Sequence, residues 1–344
     1  MYETDHPVPE LTPEEACYPI PRPRPDPVRR IRRPFSRMGW ALLTTGAVGL
    51  AASLILMGFA MVFGGPDLYD NSFLMWLITF FPIYGVGFPV GMLIIRGIPR
   101  ERYVRKNLNL KEFLCLMLLC VPVTMAGSIL GSILGSLLSF GQAVDPVADM
   151  TMALDPMSIF TLLVGAPVME ELLFRKMILD RAAVYGEVPA ILFSAMAFGL
   201  FHGNVYQLFY TFGIGVLFGY VYQRTHRIAD TMVMHSVLNF FGGVVAPLLV
   251  LHADEAALEA ESLPQMLEAL RSLTPLMIYE TVLTVLGAAG LVLLVMNRKN
   301  FRIDPAAEEI PRGYRRKIML QNPGVICFLV FSILETLMVL VQSI

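Results

Sequence analysis

Apolar residues in this chain follow neither the alternation of a strand nor the single stripe of a soluble helix. They come in long runs separated by short charged segments. Nine such runs stand out, at about 38–63, 73–95, 113–140, 157–179, 188–203, 205–223, 228–251, 275–296 and 324–343. A helix needs about 20 residues to cross the hydrocarbon of a bilayer, within a range of about 17–25. Most of the runs reach that length; 188–203 is short and is expected to end early, at Gly203. The pattern predicts an all-α fold, a polytopic transmembrane helix bundle of about nine spans over residues 38–344. Ahead of it, residues 1–37 are rich in Pro and Arg and are expected to form a disordered cytoplasmic tail.

Composition agrees with this reading. Apolar residues make up 56% of the 344 and charged residues only 16%, where soluble domains carry about a quarter charged. The net charge of -2 says little about partners, because charge is segregated along the chain. With the N-terminus in the cytoplasm, 25 of the 26 Lys and Arg fall in the tail, in the inner connections or at their edges, and only Arg271 lies outside them. The opposite loops carry Asp67, Asp70, Asp145, Asp149, Asp155, Asp254, Glu255, Glu259, Glu261 and Glu268. Moving the frame by one span destroys this partition, so the positive-inside rule predicts a cytoplasmic N-terminus and an outer C-terminus, with the cell membrane as the expected location. No basic stripe with interleaved aromatics appears, which argues against nucleic acid as a partner. Cys17, Cys115, Cys120 and Cys327 have no metal-site spacing and are read as structural.

Two further patterns concern packing. Gly127, Gly131 and Gly135 recur every four residues in the third run, a small-residue face that lets helices approach closely. Leu263, Met266, Leu267, Leu270 and Leu273 share one helical face and predict a short helix lying on the membrane surface.

The candidate chemistry lies in polar residues inside the runs, where an ionisable group costs about 2.5–3.5 kcal/mol on insertion scales. The fourth run holds Glu170 and Glu171, with Arg175 placed to pair with Glu171 at i,i+4. That leaves Glu170 about 100° round the helix without a partner of its own. A carboxylic acid in apolar surroundings titrates closer to neutrality, which suits a general base. The fifth run ends Phe198-Gly199-Leu200-Phe201-His202, and the seventh holds His235 and Asn239 on one face. Single polar residues in spans often serve as interhelical glue, but five groups of acid–base type on three spans make that a weaker account. Glu280 and Glu335 are read as further buried acids making interhelical contacts. Ser194 and Ser236 are expected to bond back to their helix backbones.

The ordered set Glu170-Glu171…Arg175, Phe198…His202 and His235…Asn239 resembles the CAAX-processing and bacteriocin-processing (CPBP, or Abi) intramembrane protease family, whose best-known branch is the Ras-converting CAAX endopeptidase. The resemblance covers about residues 157–250, which would form a four-span catalytic core. It implies a peptide-bond hydrolase in which Glu170 activates a water with help from His202, His235 and Asn239 stabilise the oxyanion, and Glu171 with Arg175 supports Glu170. An older reading of the family makes Glu170, His202 and His235 ligands of zinc. Both remain open from the sequence; Asn239, a poor zinc ligand but a good oxyanion donor, favours the metal-independent mechanism. The expected substrate is a membrane-associated peptide or protein, prenylated CAAX proteins being the family's eukaryotic targets. His-Glu-x-x-His and Gly-x-Ser-x-Gly are both absent. The competing classes are a non-catalytic scaffold or bacteriocin-immunity protein of the same fold, and a proton-coupled transporter. Intact motifs argue against the first and the lack of an internal repeat against the second.

Overall fold

The computed structural model describes residues 27–63, 71–101, 106–145, 152, 154–253, 262–298 and 309–344. Among them eight helices are long and apolar enough to cross a membrane. These are α1 (Pro27–Phe63), α2 (Ser72–Ile95), α3 (Leu110–Leu138), α4 (Pro156–Tyr185), α6 (Val205–Thr225), α7 (Ile228–Leu251), α8 (Leu263–Asn297) and α10 (Pro323–Gln342). The shorter apolar helix α5 (Glu187–Phe201) lies between α4 and α6 in the chain, and α9 (Arg315–Met319) is a single turn ahead of α10. The chain is thus an all-α polytopic bundle and an integral membrane protein.

Two boundaries differ from expectation. Helix α1 starts at Pro27, well inside the stretch read as a disordered tail. Ile31, Phe35 and Met38 recur at helical spacing and are buried, so this segment has apolar surface to bury after all. Its arginines find acceptors at helix ends: Arg32 donates to the Gln321 carbonyl and Arg37 to that of Ile94. Residues 1–26 lie outside the described residues. Helix α8 runs unbroken through Pro275, so Leu263–Leu273 continues the span and is no separate surface helix. At 1.5 Å per residue, its 35 residues extend about 52 Å. Glu280, expected to be buried, is exposed. It lies 17 residues before Asn297, about 25 Å along the helix, close to where a hydrocarbon layer about 30 Å thick ends.

Proline shapes the helices that matter most. Helix α4 opens into a wide turn over Thr161–Gly165 just before Pro167, and α7 does the same over Phe241–Val245 before Pro247. Proline has no N–H to give the preceding turn, and wide turns of this kind recur in helices at functional sites. Near the first turn, side chains of α7 take the place of backbone donors. Asn239 Nδ2 donates to the Leu162 carbonyl at 2.8 Å and Ser236 Oγ to that of Leu163 at 2.8 Å.

The two ends of the bundle are distinct. At one end Glu101 N donates to the Asp180 carbonyl, Lys106 N to that of Thr225 and Ile310 N to that of Tyr185. Most arginines and lysines of the described connections gather there. At the other end Val144 N meets the Ser343 carbonyl, Tyr206 Oη the Ala143 carbonyl, and Asn204 Nδ2 meets Asp145 at 3.2 Å. The glycine face of α3 packs on α6 as predicted. A methyl group on Gly127 or Gly131 would sit 2.4 or 2.5 Å from backbone atoms of Tyr210 or Tyr206.

Candidate active site

Helices α4, α5 and α7 bring the three motifs together. Glu170 Oε2 lies 3.9 Å from His202 Nε2 and 3.8 Å from His235 Nε2. All three line one cavity of about 710 Å³, together with Asn239. The sequence places His202 at the end of its helix, and Gly203 explains how it stops there. Gly203 has φ +57, a conformation that side chains with a Cβ rarely adopt, and it turns the chain into α6. His202 is then the last residue able to hold its ring over the cavity, with Nδ1 2.7 Å from the Phe198 carbonyl. That contact suits Nδ1 as the donor to the carbonyl and turns Nε2 toward Glu170.

Glu171 has the opposite surroundings. Its Oε2 pairs with Arg175 Nε at 3.1 Å, both side chains fully buried, and its Oε1 lies 3.4 Å from His235 Nδ1. His235 therefore bridges the two glutamates, Nδ1 toward Glu171 and Nε2 toward Glu170. Arg175 also donates to Ser194 Oγ at 3.2 Å, and Ser194 donates in turn to the Phe174 carbonyl at 2.9 Å. Ser194 thus ties α5 to α4 instead of bonding back to its own helix. Ser236 does bond back, to Met232, as well as across to α4.

Phe198, completely buried, explains why an aromatic stands four residues before His202. Its ring meets His202 edge-on at 4.9 Å and His235 at 5.8 Å, and the Arg175 guanidinium lies 4.9 Å from its centre. One side chain thereby sets the spacing of three motif members. Phe218 of α6 closes the guanidinium from another side at 5.7 Å.

Two cavity residues carry no motif signal. Tyr84 Oη donates to Glu170 Oε1 at 3.2 Å from the wide turn Pro82–Gly87 of α2, its ring against Phe80. A tyrosine inside a span between Pro82 and Gly87 is a polar handle in apolar surroundings, and that was the available clue. Asp145, held by Asn204, lines the same cavity. Glu335 packs against Gly203, behind the turn that follows His202, which accords with the expected interhelical contact.

Among the described residues, no group of three or more His, Cys, Asp or Glu is arranged to hold a metal ion. The zinc reading of Glu170, His202 and His235 gains no support from their geometry.

Comparison with known proteins finds its similarity in the stretch that forms much of this cavity. Residues 153–241 match the sequence model of the family described as Type II CAAX prenyl endopeptidase Rce1-like. That stretch contains Glu170, Glu171, Arg175, Phe198, His202, His235 and Asn239, and over it the chain is similar to the CAAX-type membrane proteases. The chain is also similar to YdiL of Bacillus subtilis (strain 168), whose name assigns it provisionally to the membrane peptidases. The two are 33% identical over 98 residues, which is 28% of this chain and 39% of YdiL. The chain therefore spans about two fifths of that relative's length. No solved structure gives a significant match.

Proposed function

We propose that the chain is an intramembrane endopeptidase that cleaves a membrane-associated peptide or protein with a water activated by Glu170. The observation that carries this reading is the placement of Glu170 Oε2 nearly equidistant from two imidazole nitrogens over an open cavity. Separations of 3.8 and 3.9 Å exceed a direct hydrogen bond but suit a bridging water. The Glu170 carboxylate takes a proton from that water as its oxygen attacks the scissile carbonyl carbon. The resulting oxyanion is met by donors from His235 and Asn239, whose amide keeps a second N–H beyond the one given to Leu162. Collapse of the tetrahedral intermediate breaks the C–N bond, and Glu170 returns the proton to the leaving amine. His202 holds Nε2 toward the attacking water, and Tyr84 fixes the other carboxylate oxygen.

Glu170→Gln tests this. General base catalysis contributes about 10²–10⁴-fold, so cleavage of precursors in membranes should fall by that much while insertion and thermal unfolding stay unchanged. Unaltered processing would sink the reading. Chelation of the purified protein should leave activity intact; loss of activity restored by Zn²⁺ would convert the mechanism to the metal-dependent one.

A further inference from the structure

The cavity has a direction. On α7 its lining begins at His235 and continues through Asn239, Gly242 and Ala246 to Val250, away from the end where α7 starts beside Arg227. On α4 it stops at Glu170, and on α6 it uses only Gln207 to Ile214, in the first half of that helix. Asp145 and Met152, from the connection between α3 and α4, also line it. Every one of these helices therefore contributes the half remote from the basic end.

Below Glu170 the bundle is filled. The buried Glu171–Arg175 pair comes first, with Phe198 and Phe218 around it. The buried Asp180 follows, with Lys176 at 2.8 Å and the Tyr222 hydroxyl at 2.8 Å. Among the described residues that line the cavity none is a lysine or arginine, and the carboxyls are Asp145 and Glu170. A free C-terminal carboxylate would find no fixed cation there.

From this geometry we infer that the site is served from the side opposite the basic end, which the positive-inside rule makes the extracytoplasmic side. The scissile segment then belongs to a membrane-anchored polypeptide presented at the outer leaflet, and not to a cytosolic C-terminal tail. The substrate part of this rests on the peptidase reading; the side of access does not.

The test places single cysteines in a background where Cys17, Cys115, Cys120 and Cys327 are replaced by alanine. In intact cells a membrane-impermeant maleimide should label Val250→Cys, at the cavity rim, and should label Lys111→Cys, at the start of α3, only after permeabilisation. Labelling of Val250→Cys only after permeabilisation, or not at all, overturns the inference. Should the cysteine proteins fail to accumulate, alkaline phosphatase fused after Ile344 gives the same answer. α10 ends at the cavity side, so the fusion should be active, and an inactive, stably produced fusion refutes the assignment. Labelling needs no turnover and should be identical in Glu170→Gln protein. Access can therefore fail with cleavage intact, and the peptidase reading can fail with access upheld.

Discussion

Glu170 and Glu171 are adjacent in sequence and at nearly one depth, yet they face opposite surroundings. Toward the basic end each buried carboxylate faces a cationic side chain: Glu171 faces Arg175 and His235, Asp180 faces Lys176 and Tyr222, and Glu187 faces Arg224. Toward the cavity, Glu170 is met by one tyrosine hydroxyl and by two imidazoles at water-bridging distance. One helix thus supplies both kinds of buried acid, and a 100° turn separates them. Charge that is fully matched holds helices in register, whereas charge left facing a cavity is available for proton transfer.

The comparison is tested most severely at Glu170 itself, where Gln should abolish most of the cleavage and leave folding alone. Arg175 should behave in the reverse sense. Removing one member of a buried ion pair costs about 3–5 kcal/mol, so Arg175→Ala should lower the melting temperature and the yield of inserted protein, with activity lost only in proportion to folded material. An Arg175→Ala protein of normal stability and no activity would erase the distinction between the two surroundings. Tyr84→Phe should show a smaller and purely kinetic effect. A hydrogen bond to a charged group is worth about 1.5–3 kcal/mol, so kcat should fall about 10- to 150-fold with an unchanged melt. The smallest effect is expected outside the spans, at His226, which caps α6 with φ +51. Burial, reinforced by Arg224, Lys106 and Lys176, pushes its pKa down from 6.5 to about 4. The folded state therefore holds the neutral ring. Its contribution to stability is complete above pH 6.5 and is lost as the pH falls through 6.5 toward 4. His226→Asn, which tolerates the left-handed backbone, should flatten the decline in melting temperature over that window.

The membrane passes were legible because bilayer thickness imposes a length on apolar runs. The start of α1 and the unity of α8 were not. Arginines at 29–33 mask the burial of Ile31 and Phe35, and Pro275 looks like a break although a helix of this length accommodates it. At the site, the i,i+4 pairing of Glu171 with Arg175 followed from helical geometry alone, as did the shared face of His235 and Asn239. The Glu170–Tyr84 contact spans 86 residues, and no local spacing encodes it. Phe198 was noticed as a motif letter, yet its work as a wedge between Arg175, His202 and His235 depends on packing from three helices.

Helix α5 has 15 residues, about 22 Å of rise, against a hydrocarbon layer of about 30 Å. Gly203, just past its end, abuts Glu335, eight residues before Ser343 on α10, a level about 12 Å short of that helix's C-terminal tip. Around this sunken hairpin a lipid leaflet of ordinary depth meets polar backbone where it would otherwise meet leucine. It must dimple or yield to water, and a route for solvent to the cavity around Glu170 is thereby written into the length of a single helix.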